Sequence, residues 1–229
     1  MTEDIMPPEI PRVYNPVGIY ERSFFAEKKD GERMYLRFEG IESCGEVYVN
    51  GSFVGYSEGS FTPAEYDITD YAVNGENQLV VKVLRWCDGS WLEDQDFWRL
   101  SGIFRDVALY TLPEVHIGDW KVDALLDENY QDGILNVEAA LEGKADGCRV
   151  RLELYSPKGR QLLDSPETEV KDGKAAFSLQ VETPWQWSAE SPVLYTVVLY
   201  LENEGEETIL AARCGFRTFE LKDGLMMLN

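Results

Sequence analysis

From Trp86 to Arg99 the chain reads Trp86-Cys87-Asp88-Gly89-Ser90-Trp91-Leu92-Glu93-Asp94-Gln95-Asp96-Phe97-Trp98-Arg99, with three tryptophans and four carboxylates in fourteen residues. Carboxylates accept hydrogen bonds from sugar hydroxyls, and an indole face stacks on the C–H face of a pyranose, so a saccharide site is the functional reading. Three other readings use the same residues. The tryptophans could fill core, with Asp88-Gly89 as a turn and the carboxylates as a solvated loop. Glu93, Asp94 and Asp96 could offer oxygens to a hard cation, although the spacing and glycine of an EF-hand are missing. Asp94 and Asp96 could also be a glycosidase acid and base. At i and i+2 of an extended segment they project to one side about 6.6 Å apart, near the ~6.5–9.5 Å carboxyl separation of inverting enzymes. Nothing marks one as desolvated and the other as exposed, however, and the two roles need that asymmetry.

Other catalytic constellations are absent. The chain has one histidine, His116, flanked by Val115 and Ile117, which reads as a packed or edge-strand residue and supplies no Ser/His/Asp or Cys/His candidate. No GxGxxG or phosphate loop occurs. The four cysteines (Cys44, Cys87, Cys148, Cys214) are dispersed without CxxC spacing in a chain long enough to need no staples, so they read as free, mostly buried thiols.

Charge narrows the partners. A formal net charge of -21 repels a phosphate backbone or an anionic membrane surface, so neither nucleic acid nor membrane is expected as a partner. There is no run of 18 apolar residues, and Met1-Thr2-Glu3-Asp4 lacks the basic and apolar regions of a signal peptide, which leaves cytoplasm and periplasm equally open.

The elements that must position the acidic, aromatic segment read as β-strands throughout: β-branched and aromatic runs alternate with Gly, Asp and Pro turns, and no window keeps a 3.6-residue apolar period. After a Pro-rich opening (Pro7, Pro8, Pro11, Pro16), strands are expected at residues 18–25, 33–39, 47–49, 53–56, 66–68, 78–86 and 104–110. Asn50-Gly51, the pair that accepts positive φ in a type I′ turn, predicts a tight hairpin between the third and fourth of these. Pro113 closes this part, and a boundary is placed near residue 112. Beyond it, alternating runs at residues 115–124, 134–141, 148–155, 175–181, 193–201 and 208–216 give the strand density of an immunoglobulin-like sandwich without its disulfide spacing.

Several of these stretches together resemble family 2 glycoside hydrolases: Val49-Asn50-Gly51, Val54-Gly55-Tyr56, SFTPAEYD at residues 60–67, Gly75-Glu76-Asn77 and RWCDGSWLEDQDFWRLSGIFRDV at residues 85–107. DQDFWR with SGIFRDV is similar to the large bacterial β-galactosidases; the β-glucuronidase and β-mannosidase branches carry different residues there. Trp187-Ser188-Ala189-Glu190 with Pro192, Leu194 and Tyr195, then Gly215-Phe216-Arg217, resembles the family's second domain. The fold so implied is all-β: a jelly-roll, galactose-binding-like sandwich over residues 1–112, an immunoglobulin-like sandwich over 113–219, and at 220–229 the start of a strand leading to a TIM barrel.

The resemblance also implies a retaining hydrolase of terminal β-galactosides such as lactose, acting through two glutamates on that barrel, with sodium and magnesium in a homo-oligomeric parent. Asp96, the last residue of the DQD motif, would reach the active site and contact galactose and a sodium ion. Asp94, Gln95, Trp98 and Arg99 would shape or pack the loop, with no catalytic residue in this chain. The family's Tyr-Thr-Asn segment and its Arg-Gly-Asn-Arg-His-Glu motif are not found here, so nucleophile, acid and magnesium ligands are expected beyond residue 229. Two rival readings remain: a free-standing carbohydrate-binding module with Trp86, Trp91 and Trp98 as its platform, and a cell-surface adhesion sandwich.

Overall fold

The computed structural model describes residues 7–93, 98–158 and 161–229. The chain divides into two compact units, the first ending at Pro113 and the second running Glu114–Asn229.

The first unit contains β1 (Val17–Ala26), β2 (Glu32–Phe38), β3 (Ile41–Glu42), β4 (Cys44–Val49), β5 (Ser52–Glu58), β6 (Ala64–Asp67), β7 (Gly75–Leu84), a single helical turn α1 (Gly89–Leu92), β8 (Gly102–Ile103) and β9 (Val107–Pro113). One sheet has the order β1-β7-β4-β5 and the other β6-β2-β9, while β3 pairs with β8. Burial alternates along β4 and β7, so that Val47, Val49, Leu79, Val81 and Val83 face Met34, Leu36 and Phe38 of the second sheet across a core completed by Ala26, Ile41 and Ile68. The expected hairpin is present: Asn50 and Gly51 both take positive φ (51° and 80°) between β4 and β5. Gly55 in β5 answers a different demand, since a Cβ there would lie 2.6 Å from the Tyr66 ring. The last strand begins at Val107, later than the expected 104, because Gly102 and Ile103 pair separately with β3.

The second unit contains β10 (His116–Leu126), β11 (Gly133–Glu142), β12 (Arg149–Tyr155), β13 (Leu162–Asp164), β14 (Glu167–Glu169), β15 (Lys174–Val181), β16 (Tyr195–Asn203), β17 (Glu206–Cys214), β18 (Phe219–Lys222) and β19 (Leu225–Leu228). Sheets β10-β11-β15 and β13-β12-β16-β17, with β14 beside β12, enclose a core in which Leu135, Val137, Val150, Leu152, Leu154, Val197 and Leu199 are fully buried. The strands β11, β15 and β16 alternate buried and open positions almost without interruption, the period-2 pattern that one packed face imposes. Residues 219–228 form a hairpin turned by Asp223 and Gly224, both at positive φ, and Asn229 ties it down by donating to the carbonyls of Thr218 (3.0 Å) and Trp187 (3.1 Å).

All four cysteines are free, with Cys44, Cys87 and Cys214 buried. His116 is buried, its Nε2 3.7 Å from Glu142. Among the described residues no helix is long and apolar enough to cross a membrane.

Candidate functional site

The acidic, aromatic segment leaves the end of β7 and is held from its first residue. The Arg85 N–H donates to the Pro16 carbonyl at 3.0 Å. The Asn15 amide clamps Trp86 on both sides, donating to its carbonyl (2.9 Å) and accepting from its N–H (3.1 Å). Asp88 then caps α1, accepting from the Gly89 N–H at 3.2 Å, and the buried Ser90 hydroxyl accepts from the Cys87 N–H at 3.0 Å. The solvated-loop reading placed a turn at Asp88-Gly89; the chain winds one helical turn from Gly89 to Leu92, with Asp88 as its cap.

Glu93 closes that turn, and its carboxylate accepts from both the N–H and the hydroxyl of Ser60, each at 2.6 Å. Seven and eight residues on, the N–H groups of Leu100 (3.1 Å) and Ser101 (3.0 Å), the latter at φ 63°, donate to the buried carboxylate of Glu42. Two charge-assisted clamps therefore bracket residues 94–97. Arg105 adds a third tie, donating to the carbonyls of Glu39 (3.2 Å) and Phe61 (3.0 Å), so that the SFTP and SGIFRDV stretches are joined through one guanidinium.

Asp94 and Asp96, and with them the expected sugar and sodium contacts and the acid and base pair, lie outside the described residues. Of their expected supports, Arg99 lies over two rings: its guanidinium carbon is 4.8 Å and 5.0 Å from the ring centroids of Trp86 and Trp91, and it donates to the Ser90 carbonyl at 3.2 Å. Trp98 does not join them and is 83% exposed, and Leu92 and Leu100 are open as well. The three-tryptophan platform is thus not assembled. Trp86 and Trp91 stack on one another (5.5 Å between centroids, 29° between planes) under Arg99, and the Trp91 indole N–H donates to the Glu9 carbonyl at 3.1 Å. Glu93, one of three proposed cation ligands, is turned onto Ser60 instead.

Sequence reasoning missed Glu42, Asn15 and the pairing of Ser60 with Glu93. Nothing local distinguishes these residues from solvated polar ones, because their partners lie 58, 71 and 33 residues away.

Comparison with known proteins places this geometry. Residues 3–113 match the model described as "Glycosyl hydrolases family 2, sugar binding domain" and residues 115–217 that described as "Glycosyl hydrolases family 2". The chain is 48% identical to a beta-galactosidase of Priestia megaterium over 239 residues, covering 99% of this chain and 23% of that protein. It is 38% identical to a beta-galactosidase of Kluyveromyces lactis, covering 96% and 24%. The chain thus spans about a quarter of the length of these relatives. Among solved structures, the FMN-binding beta-glucuronidase from Facaelibacterium prausnitzii L2-6 superposes with a TM-score of 0.82 at 24% identity, over 94% of this chain and 35% of that one. The beta-glucuronidase of Bifidobacterium dentium, solved with coumarin-3-O-glucuronide, gives 0.79 at 22%, over 94% and 42%. These two are likenesses of fold. With both family models filling its two units and whole-chain identity to curated members, the chain belongs to glycosyl hydrolase family 2.

Proposed function

We propose that this chain is the amino-terminal, non-catalytic part of a β-galactosidase that removes terminal non-reducing β-D-galactose from lactose-like β-galactosides with retention. The observation that carries the reading is identity over the whole chain, 48% across 99% of its length, to a protein named beta-galactosidase. In this reading the first sandwich contributes Asp96 to one wall of the active site, with Asp94, Trp98 and Arg99 shaping the loop. The second sandwich spaces that wall from a barrel that carries the two catalytic glutamates and the magnesium ligands. The parent is a homo-oligomer, and neither nucleic acid nor membrane is a partner.

The clamps at Glu93 and Glu42 support the loop's role, since a contact offered across a domain boundary must be preorganised. Both carboxylates are committed to hydrogen bonds within the fold, so neither competes with Asp96 for the sodium ion. A sodium ion bound by Asp96 would supply positive charge for orienting sugar hydroxyls.

The test compares hydrolysis of a chromogenic β-galactoside by this chain alone and by the chain joined to its downstream sequence. Turnover only in the longer protein, with the β-anomer released first by NMR, supports the reading. Turnover by the chain alone overturns it and makes Asp94 and Asp96 a catalytic pair. Within the active protein, Asp96→Asn costs several kcal/mol at most of the transition-state stabilisation read from kcat/KM and weakens sodium dependence; unchanged values remove Asp96 from the site. A free-standing sugar-binding module has one largely open indole to offer, Trp98. It requires the isolated chain to bind galactosides, which the proposed half-site does not.

A further inference from the structure

Beneath the turn that carries α1, side chains from two strands and the turn converge on one point. We propose that Glu58, Cys87 and Asp88, with the thiol of Cys44 behind them, form a binding site for a borderline divalent cation of the zinc class.

Geometry carries the proposal. The donor atoms of Glu58, Cys87 and Asp88 all lie within 4.8 Å of one another. Zinc held at about 2.0–2.3 Å from each donor needs separations of roughly 3.5 Å, so the side chains must close by only about 1 Å. The backbone already aligns the second thiol: Cys44 in β4 sits directly opposite Glu58 in β5 and opposite Leu84 in β7, three residues before Cys87. The turn is cut to fit the cluster as well. A Cβ at Gly89 would meet the Glu58 carboxylate at 3.0 Å and the Cys87 sulfur at 3.5 Å, so a residue with no side chain lets the turn close over both.

The donor chemistry selects the ion. One or two thiolates with two carboxylates favour zinc or cadmium over magnesium or calcium, which prefer oxygen alone. The sulfurs are shielded, Cys44 at 1% and Cys87 at 4% exposure, whereas both carboxylates are exposed and give an ion a way in. The Cys44 thiol donates to the Leu84 carbonyl at 3.9 Å, and the Cys87 Sγ lies 3.6 Å from the Ser90 hydroxyl. The Tyr56 hydroxyl donates to Glu58 and holds its carboxylate, the kind of outer support that metal ligands usually have.

A bound ion would tie the ends of β4 and β5 to the turn that leads to Glu93. The proposal does not depend on the proposed function.

Titrating the reduced, metal-free chain with cobalt(II) tests it. A sulfur-to-cobalt charge-transfer band should grow in the near ultraviolet, saturate at a single equivalent and be displaced by zinc. Cys87→Ser should abolish the band, and Cys148→Ser should leave it intact. Glu58→Gln and Asp88→Asn should each weaken binding by at least the roughly 10–100-fold that losing an outer-shell partner costs. No band, or a band that survives Cys87→Ser, overturns the site. Should Cys87→Ser fail to fold, the two exposed carboxylate variants decide: unchanged affinity in both sinks the proposal.

Discussion

The two sandwiches use their interiors differently. In the second unit the buried cluster holds twenty-one residues, all hydrophobic, and His116 is its only buried polar or charged side chain among the described residues. In the first unit the cluster holds eleven, and Glu42, Ser43, Ser60, Asn77 and Ser90 are buried beside it. Four of those five form hydrogen bonds that fix irregular chain: Glu42 and Ser60 at the ends of the loop, Ser90 under the turn, and Asn77 bonding Asn50, Val73 and Gly75 at the hairpin end. A buried polar group costs free energy unless it is satisfied, so a core that carries several has been shaped around positioning backbone. The second core is shaped around packing, which suits a spacer; the first suits a unit that presents a loop.

The largest expected effect that would break this contrast lies in the second unit. Leu199 is fully buried in β16, and Leu199→Ala should lower unfolding stability by about 2–5 kcal/mol in urea titration. A loss under about 1 kcal/mol would mean that this core is not close-packed and that the spacer reading is mistaken.

Next come the clamps. Glu42→Gln removes the charge from an acceptor of two backbone N–H groups, and Ser60→Ala removes one of two donors to Glu93; each should cost about 1–3 kcal/mol. The sharper readout is local: amide exchange at Leu100 and Ser101 should accelerate in Glu42→Gln while that of β11 and β16 stays unchanged. If exchange there is unaltered, Glu42 is a satisfied core residue and does not hold the loop.

What the residue pattern made legible follows the same division. The strands β11, β12, β15, β16 and β17 were visible because one buried face forces alternation, and the hairpin at Asn50-Gly51 because positive φ restricts residue type. The exposed strands β13 and β14, with no buried face to write a pattern, were not foreseen. Nor were the Glu42 clamp and the Trp86–Trp91–Arg99 stack, because a hydrogen bond or ring contact leaves no period in the sequence, only residue types that fit other uses equally well. Asp96 was reached through resemblance, whereas Glu58 and Cys87 come together only in three dimensions.

Backbone strain blurs the contrast and can be measured. Thr183, in the second unit, holds φ 44° although it is β-branched, its N–H donating to Asp132 at 2.9 Å. Asparagine adopts that region readily, so Thr183→Asn should raise stability by about 1 kcal/mol. A destabilised variant would show that the threonine side chain contributes more than its strain removes.

The smallest effect separates the units by pH. Asp67 in β6 accepts from Arg33 Nε at 2.8 Å and from the Thr69 N–H at 2.9 Å. Burial pushes its pKa up, but the Thr69 hydroxyl and N–H and the Arg33 guanidinium outweigh burial and leave it below the usual carboxylate value. A carboxyl whose pKa is lower folded than unfolded contributes stability that is complete above the unfolded value, near 4, and is lost as pH falls through the folded one. Both side chains remain partly open, at 39% and 30% exposure, so the contribution belongs with exposed ion pairs at roughly 0–1 kcal/mol. Asp67→Asn should therefore leave a small deficit at pH 7 that shrinks as pH falls through 4 toward 2, followed by urea titration at each pH. A deficit that is constant with pH would assign the loss to altered packing of β2 against β6 and remove the Arg33–Asp67 pair from the account.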